Sequence, residues 1–180
     1  MTPRRYFAFL RAINTGGRRL TNDQITEPFV SLGFSDVVAY QAAGNVTFCT
    51  EDRDKVEASQ IETVLAETFG FDAPTFLRTA GDLRSVLEGQ PFTADEMSRT
   101  EGRVQVSFLR TAPDETTVAQ VQGLVPPGDR VVFTDAHWLW LPTGRISDSQ
   151  LPVAAVERLV GPMTLRTLGT VARMYQKFAT

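Results

Sequence analysis

The residues with the clearest chemical potential in this sequence are arginines, glycines and side-chain amides, most of them close together near the amino terminus. Glycine lets backbone N–H groups approach a ligand closely, and each arginine offers a planar fork of donors that matches a phosphate or a carboxylate. A helix that starts just after such a loop favours an anion at its N-terminus. The residues that we predict to bind an anion are Arg11, Asn14, Gly16, Gly17, Arg18, Gln41, Asn45, Arg166 and Arg173.

The common phosphate-binding fingerprints do not account for these residues. Gly16 and Gly17 lack the spacing of the dinucleotide-binding motif, and no Gly-Lys-Ser/Thr sequence follows them. A pair of glycines between a strand and a helix is also ordinary turn geometry. Gln41 and Asn45 have the alternative role of satisfying backbone groups at a hairpin. No cofactor is predicted, and both interpretations of these residues stay open.

Catalytic and metal-binding constellations are scarce. His137 is the single histidine, which excludes a zinc site with several histidines, and its position after Asp135 predicts a residue of a hairpin turn. The two lysines, Lys55 and Lys177, are on polar helix faces, which disfavours Schiff-base chemistry. Cys49 is expected to be a buried, unreactive thiol. We predict a binding protein without a metal. If the protein is an enzyme, arginines and backbone donors would have to polarise the substrate, which suits the handling of phosphoryl or acyl groups.

Charge is divided unevenly along the 180 residues, whose formal net charge is −3. Five arginines precede the first acidic residue, Asp23, and after Glu157 the charged residues are all basic. The net charge argues against a general nucleic-acid coat, but the basic ends permit one local positive patch. An anionic small molecule is therefore the favoured partner, and nucleic acid is an alternative that the net charge does not support.

The sequence gives no sign of membrane insertion or export. No stretch approaches the roughly 18 apolar residues that a membrane span needs. The basic and then apolar start of the chain stops at Arg11 without a cleavage site typical of signal peptides, so we predict a strand there. A single cysteine excludes an internal disulfide. These features predict a cytoplasmic protein with no membrane partner.

The first half of the chain alternates strands and helices in the order β-α-β-β-α-β. Thr21 and Gln24 have the spacing of a capping box for the first helix, and Gly70 follows the apolar face of the second helix. The strands are predicted at residues 5–11, 36–41, 46–50 and 74–78. This order is typical of a split βαββαβ, or ferredoxin-like, sandwich.

The second half repeats most of this order. Strands are predicted at 104–108, 130–134 and 138–141, with helices at 114–122 and 151–160 and an amphipathic closing helix from about Val171. We therefore predict an α+β fold with two subdomains, the second a related βαββα unit plus a C-terminal helix. The expected boundaries are 1–79 for the first subdomain, 80–102 for a helix and linker, and 103–180 for the second subdomain.

Two segments carry distinctive motifs: Leu10–Gly17, with the sequence LRAINTGG, and Tyr40–Phe48, with the sequence YQAAGNVTF. Both segments resemble the signatures of the bacterial family called domain of unknown function 1697. The chain departs from the family pattern at Ala12 and Ala43, where glycine and serine are usual, and at Arg173, where lysine is usual. The resemblance covers nearly the whole chain. It implies an α+β fold in two subdomains, the first ferredoxin-like, and no established activity.

Topology predicts where the candidate residues meet. In a split βαββαβ module, the loop after the first strand and the hairpin after the second strand lie at the same end of the sheet. The arginine-rich loop should therefore lie beside Gln41 and Asn45. If the basic closing segment packs nearby, Arg166 and Arg173 complete the anion site.

Two alternatives belong to other classes of function. A ferredoxin-like sheet can bind RNA by stacking bases on strand aromatics, for which Tyr6, Phe7 and Phe9 are the candidates, although core positions suit these rings better. A homodimeric interaction module without a ligand could use Trp138 and Trp140, which share a strand face, as its anchor. Core packing is the favoured role of this pair as well, and the oligomeric state stays open.

Overall fold

The computed structural model describes residues 3–41, 43–51, 56–100 and 103–179. The chain divides into two compact units, each built on its own four-stranded sheet. The first unit comprises Met1–Arg84 and Met174–Thr180, and the second comprises Ser85–Arg173. Helices and antiparallel strands occur in both units, which confirms the predicted α+β class with two subdomains.

The strands of the first unit are arranged in the order β2-β3-β1-β4, and all neighbours are antiparallel. The elements are β1 (Arg4–Leu10), α1 (Asn22–Ser31), β2 (Ser35–Tyr40), β3 (Asn45–Thr50), α2 (Ala58–Phe69) and β4 (Thr75–Thr79), followed along the chain by α3 (Ala80–Glu88). This is the ferredoxin-like arrangement that the sequence predicts. β1 is a central strand, in agreement with its apolar side chains on both faces.

Local sequence signals set the helix ends of the first unit. The Thr21 hydroxyl accepts a hydrogen bond from the Gln24 N–H, and the Gln24 side chain accepts one from the Thr21 N–H, which forms the predicted capping box. α2 ends at Gly70, whose φ of 72° is a left-handed conformation that glycine adopts without strain. Thr79 and Asp82 cap α3 in the same reciprocal way.

The core of the first unit lies between one face of the sheet and helices α1 and α2. Tyr6 and Phe48 stack with ring centroids 5.7 Å apart, and Phe29 of α1 packs on Phe48 at 5.4 Å. Ile61 and Leu65 of α2 are completely buried. Because burial of such a side chain contributes about 1.5–3 kcal/mol, this cluster holds the sheet as a rigid support for the loops at its ends.

The second unit has the same plan, with antiparallel strands in the order β6-β7-β5-β8. The elements are α4 (Ala94–Arg99), β5 (Gln105–Leu109), α5 (Glu115–Gln122), β6 (Arg130–Thr134), β7 (His137–Leu141), a short 3-10 helix (Ile146–Asp148), α6 (Val153–Val160), β8 (Met163–Thr167) and α7 (Leu168–Phe178). The boundary between the units falls within α3 and within α7. The strands and helices from β5 to β8 form a complete βαββαβ unit.

Two elements of the second unit are absent from the sequence prediction. β8 completes the βαββαβ order, whereas the sequence predicted only βαββα and a closing helix. Because α7 begins at Leu168 directly after Thr167, no turn residue marks the end of this strand. α4 lies within the segment predicted as a linker, and its N-terminus is a capping box formed by Thr93 and Glu96.

The two units also share sequence at matching positions. β4 and β8 both contain Leu-Arg-Thr, and the central arginines, Arg78 and Arg166, lie opposite Phe7 of β1 and Val106 of β5. In each case the arginine Nη1 donates a 2.7 Å hydrogen bond to the carbonyl of the preceding leucine. These matches support two copies of one structural plan, which the recurring order of elements predicts.

Trp138 and Trp140 belong to the core of the second unit. Their side chains are 0% and 2% exposed, in a cluster that includes Val121 of α5 and Val156 of α6. The favoured core role is therefore confirmed, and an exposed tryptophan anchor for a dimer is wrong. The Trp140 Nε1 donates a 2.9 Å hydrogen bond to the carboxylate of Asp129, which satisfies the indole in the core.

His137 is the first residue of β7 and is buried, so its prediction as a turn residue is wrong. The turn contains only Asp135 and Ala136, because Thr134 and His137 are already paired across the hairpin. Asp135 has a φ of 46°, the left-handed conformation that two-residue hairpin turns commonly need at this position. The turn is thus one residue shorter than the sequence interpretation implied.

Candidate anion-binding site

The β1–α1 loop, residues 11–21, is held closed by Asn14. The Asn14 Nδ2 donates a 3.1 Å hydrogen bond to the Leu20 carbonyl, and the Asn14 Oδ1 accepts one from the Leu20 N–H. Asn14 has a φ of 55°, a conformation that asparagine adopts more readily than most residues. The amide of Asn14 therefore shapes the loop and positions its neighbours.

Gly16 and Gly17 form the outer turn of this loop. Their φ angles are 61° and 85°, which glycine adopts at low cost. A Cβ atom at either position would meet no heavy atom within 4 Å. The conformation of the backbone, rather than crowding, therefore requires glycine here, and the space beside both residues is open to a ligand.

A concavity of about 400 Å³ opens beside the loop, and we refer to it as the basic recess. It is lined by Asn14, Gly17, Arg18, Arg19 and Leu20. Its volume falls within the range of small-molecule sites, towards the lower end. Both arginines are exposed to solvent, so the loop forms a small, open recess with two positive charges.

Arg18 is held by two contacts within the first unit. Its Nε donates a 3.3 Å hydrogen bond to the Thr15 carbonyl, and its guanidinium carbon lies 4.0 Å from the centre of the Phe71 ring. Cation–π contacts of this kind contribute about 0.5–1 kcal/mol at exposed sites. Within the described part of the chain, no carboxylate forms an ion pair with Arg18 or with Arg19. Both guanidinium groups can therefore donate hydrogen bonds to an added anion.

The β2–β3 hairpin lies directly against the β1–α1 loop, in agreement with the predicted topology. The Leu10 N–H donates a 2.6 Å hydrogen bond to the Gly44 carbonyl. A Cβ atom at Gly44 would lie 2.8 Å from the Leu10 carbonyl oxygen and 3.2 Å from the Ile13 side chain. Only glycine allows this close approach, which brings the hairpin to the same end of the sheet as the loop.

Gln41 and Asn45 have different surroundings in this hairpin. Asn45 is 1% exposed, and its Nδ2 donates a 3.3 Å hydrogen bond to the Tyr40 carbonyl. Gln41 is exposed, with a φ of 61°, and its Nε2 lies 3.5 Å from the Tyr40 hydroxyl. Asn45 has the structural role that the sequence offered as the alternative, whereas the Gln41 amide is accessible to a ligand.

Arg11 and the last turn of α7 also lie at this end of the first unit. The Arg11 N–H donates a 2.8 Å hydrogen bond to the Pro74 carbonyl. The Phe178 ring contacts the Tyr40 ring edge-on at 5.9 Å, and the Lys177 Nζ lies 5.8 Å from the centre of the same ring. Lys177 and Phe71 are missing from the predicted site, because a sequence pattern does not show which residues pack against a distant turn.

Arg166 and Arg173 lie in the second unit, on β8 and α7. The half-buried Arg166 donates hydrogen bonds from Nη1 to the Thr164 Oγ1 at 2.8 Å and to the Leu165 carbonyl at 2.7 Å. Burial lowers the pKa of Arg166 to about 10, which leaves the group charged at neutral pH. The Arg173 Nη2 donates a 3.3 Å hydrogen bond to the Thr170 Oγ1. Their participation in an anion site stays a prediction.

A larger cavity, of about 530 Å³, lies elsewhere in the first unit, and its lining includes Phe34, Cys49 and Glu51. Among its described lining residues the only charge is that of Glu51, which would repel an anion. Burial raises the pKa of the Cys49 thiol, and the nearby Arg5 opposes this effect only in part. The thiol is therefore protonated at neutral pH. The larger cavity lacks the positive charge that favours the basic recess.

Three further observations concern other kinds of site. Among the described residues, no group of three or more His, Cys, Asp or Glu side chains is placed to hold a metal ion. No helix in the described ranges is long and apolar enough to cross a membrane. The strand aromatics Tyr6, Phe7, Phe9 and Phe48 are buried, which confirms their favoured core positions and excludes base stacking on these rings.

The two sheets of identical order define the class: this is an α+β protein made of two ferredoxin-like units. Residues 3–138 match the family described as "Protein of unknown function (DUF1697)", and the chain belongs to that family. The fold is similar to that of the conserved bacterial protein SP0830 from Streptococcus pneumoniae, with a TM-score of 0.74 and 22% identity over 97% of this chain and 98% of that chain. A comparison with curated proteins found no match.

Proposed function

We propose that this protein binds a small phosphate-bearing anion in the basic recess of the first unit. The observation that supports the proposal is the presence of Arg18 and Arg19 on one recess, without an ion-pair partner for either among the described residues. Two neighbouring guanidinium groups repel each other and are stabilised by an anion that lies between them. Phosphate suits arginine because the guanidinium fork can donate two parallel hydrogen bonds to it.

The residues of the recess are already held in place without a ligand. This supports a role in specific binding, rather than the alternative that the two arginines are merely solvated surface charges. Asn14 closes the loop, and the Thr15 carbonyl and the Phe71 ring both contact the guanidinium of Arg18. Immobilising a long side chain on binding costs about 0.5–1.5 kcal/mol. For Arg18, part of this cost is already met when the chain folds, so more of the interaction with phosphate contributes to affinity.

Two exposed acidic residues are close to the recess along the chain: Asp23 in the first turn of α1, and Asp72 next to Phe71. Neither forms an ion pair with Arg18 or Arg19. Because the charges of Arg18 and Arg19 are exposed, salt should weaken their attraction to an anion. The Debye length falls from about 10 Å at 0.1 M to about 3 Å at 1 M ionic strength. A marked salt dependence is therefore part of the proposal.

The cytoplasm is the compartment that we propose for this activity. Cys49 is a buried free thiol, as is usual in proteins of reducing compartments. Binding rather than catalysis is the activity that the basic recess supports, because its side chains supply positive charge and hydrogen-bond donors.

Thermal unfolding in the presence of inorganic phosphate or pyrophosphate tests the proposal. A ligand at 100 times its dissociation constant stabilises the native state by about 2.7 kcal/mol, which raises the melting temperature measurably. We expect this rise in the unsubstituted protein and its loss in the double variant Arg18→Ala, Arg19→Ala. Arg158→Ala is the matched control, since it removes an exposed arginine from α6 of the other unit. An equal rise in the double variant, or no rise at all, contradicts the proposal.

A further inference from the structure

Arg18 offers a flat guanidinium group as well as a charge, and the ring of Phe71 supports this group. Phe71 is stacked on Phe69, with ring centroids 5.7 Å apart and 25° between the ring planes. The guanidinium of Arg18 lies over the Phe71 ring, and no other aromatic ring of the described residues contacts it. Arg18 is exposed and lines the recess, whereas Phe71 does not line it.

We infer that the ligand of the basic recess is a nucleotide, whose base stacks on the guanidinium of Arg18 while Arg19 binds the phosphate. The inference rests on the proposed anion binding and specifies the class of ligand. Guanidinium planes are stacking surfaces for unpaired bases, and every base has a flat face that can use them. Arg19 lines the same recess and has no hydrogen-bond or ion-pair partner in the described ranges, so it can bind the phosphate.

The size of the recess agrees with this division of roles. A volume of about 400 Å³ exceeds what a phosphate ion with its few atoms occupies, and it is within the range of small-molecule sites. Gly16 and Gly17 leave the space beside the loop clear, because neither carries a side chain. A nucleoside monophosphate therefore fills room that inorganic phosphate leaves to water.

A nucleoside 5′-phosphate can be a free small molecule or the end of a nucleic-acid strand. Both present the same base and phosphate to Arg18 and Arg19. Titration calorimetry with AMP, and with oligonucleotides that carry either a 5′-phosphate or a 5′-hydroxyl group, distinguishes these two sources. AMP binding assigns the recess to the free nucleotide, whereas binding of the 5′-phosphorylated strand alone assigns it to strand ends.

Comparison of AMP with ribose 5-phosphate and inorganic phosphate isolates the contribution of the base. Stacking should make AMP bind roughly 5-fold to 100-fold more tightly than ribose 5-phosphate. Arg18→Lys keeps the charge and removes the plane, and Phe71→Leu removes the supporting ring. Both variants should reduce AMP affinity to nearly that of ribose 5-phosphate, and the loss of affinity should be much larger for AMP than for inorganic phosphate. Arg4→Lys is the matched control, because Arg4 lies over the Tyr6 ring at 5.4 Å.

The outcomes distinguish failure of the nucleotide inference from failure of the proposed anion binding. Equal affinity of the unsubstituted protein for AMP and ribose 5-phosphate overturns the nucleotide inference and leaves anion binding supported. No binding of any phosphate compound overturns both. Undiminished AMP affinity in Arg18→Lys overturns the assignment of the base to the Arg18 guanidinium. Arg18 is exposed, so this variant carries the test if Phe71→Leu lowers the melting temperature too far.

Discussion

The Leu10 N–H donates a 2.6 Å hydrogen bond to the Gly44 carbonyl and thereby fastens the β2–β3 hairpin to the start of the β1–α1 loop. The corresponding contact in the second unit joins the Leu109 N–H to the Ala136 carbonyl at 2.9 Å. The contact is therefore part of the frame that both units share.

Gly44→Ala should destabilise the protein more than Gly16→Ala does. Both glycines have positive φ angles, and this conformation costs alanine about 1–2 kcal/mol. At Gly44 the new Cβ would also lie 2.8 Å from the Leu10 carbonyl oxygen, whereas at Gly16 it meets open space. Urea denaturation should show losses in unfolding free energy of about 1 kcal/mol for Gly16→Ala and about 3 kcal/mol for Gly44→Ala. Equal losses would show that the hairpin moves easily.

Asp129→Ala should strongly destabilise the second unit. The Asp129 carboxylate accepts hydrogen bonds from the Trp140 Nε1 at 2.9 Å, the Thr143 N–H at 2.7 Å and the Ser149 hydroxyl at 2.6 Å. Loss of hydrogen bonds to a charged group costs about 1.5–3 kcal/mol, so we expect a decrease of about 3 kcal/mol in unfolding free energy. Denaturation followed by tryptophan fluorescence measures it, with the exposed Asp148→Asn as control. A decrease no larger than that of the control would refute this role.

The same carboxylate predicts a pH dependence of stability. Burial by itself would raise the pKa of Asp129, but the hydrogen bonds from Ser149, Thr143 and Trp140 outweigh it and lower the pKa. Because the folded-state pKa is depressed, this stabilisation is present above the unfolded-state pKa of about 3.9 and is lost as the pH falls through the folded-state value.

The stability difference between the unsubstituted protein and Asp129→Asn should therefore be constant at neutral and weakly acidic pH. It should shrink once the pH falls below about 4. Urea denaturation at a series of pH values measures this difference. If the difference instead grows on acidification, the pKa of Asp129 is raised and not lowered.

Arg130→Ala should loosen the segment that contains α4. The Arg130 guanidinium pairs with Glu96 and lies 5.3 Å from the centre of the Phe92 ring. Exposed ion pairs contribute only about 0–1 kcal/mol, so global stability should change little. Hydrogen exchange at α4 should become faster, whereas Arg145→Ala, at another exposed arginine of the second unit, should leave it unchanged. Unchanged exchange in Arg130→Ala would mean that other contacts hold α4.

Cys49 should resist thiol reagents in the native protein. It is 5% exposed, and burial raises its pKa, so little of the reactive thiolate forms at neutral pH. Labelling with a chromogenic disulfide reagent should be slow in buffer and fast in denaturant. Equally rapid labelling in both conditions would show that the cavity of about 530 Å³ admits the reagent to the sulfur.

Much of the fold can be predicted from the sequence, because the signals that mark the ends of helices are local. The Thr21 capping box and the Gly70 helix end depend on residues within one turn, and the structure has both. β8 has no such signal, since the strand passes into α7 without a turn. α4 has a local signal, because Thr93 and Glu96 have the spacing of a capping box. The surrounding sequence is polar and lacks helical periodicity, so this segment was predicted as a linker.

The candidate site was only partly predictable for a related reason. The adjacency of the β1–α1 loop and the Gly44 hairpin follows from the order of the strands alone. The contact of Arg18 with Phe71 does not follow from the strand order. It depends on the path of the chain after α2, which brings Phe71 against the loop. The backbone contact of Asn14 was not predicted either, because the sequence suggested a backbone role only for Gln41 and Asn45.

The connection between the first strand and the first helix differs in length between the two units. Residues 11–21 make it in the first unit, and residues 110–114 suffice in the second. The shorter connection shows that this fold can join its first strand to its first helix without the additional residues of the longer loop. The anion binding that we propose for the longer loop can therefore be removed, altered or transferred to the second unit by changing this connection alone, with the strand order kept.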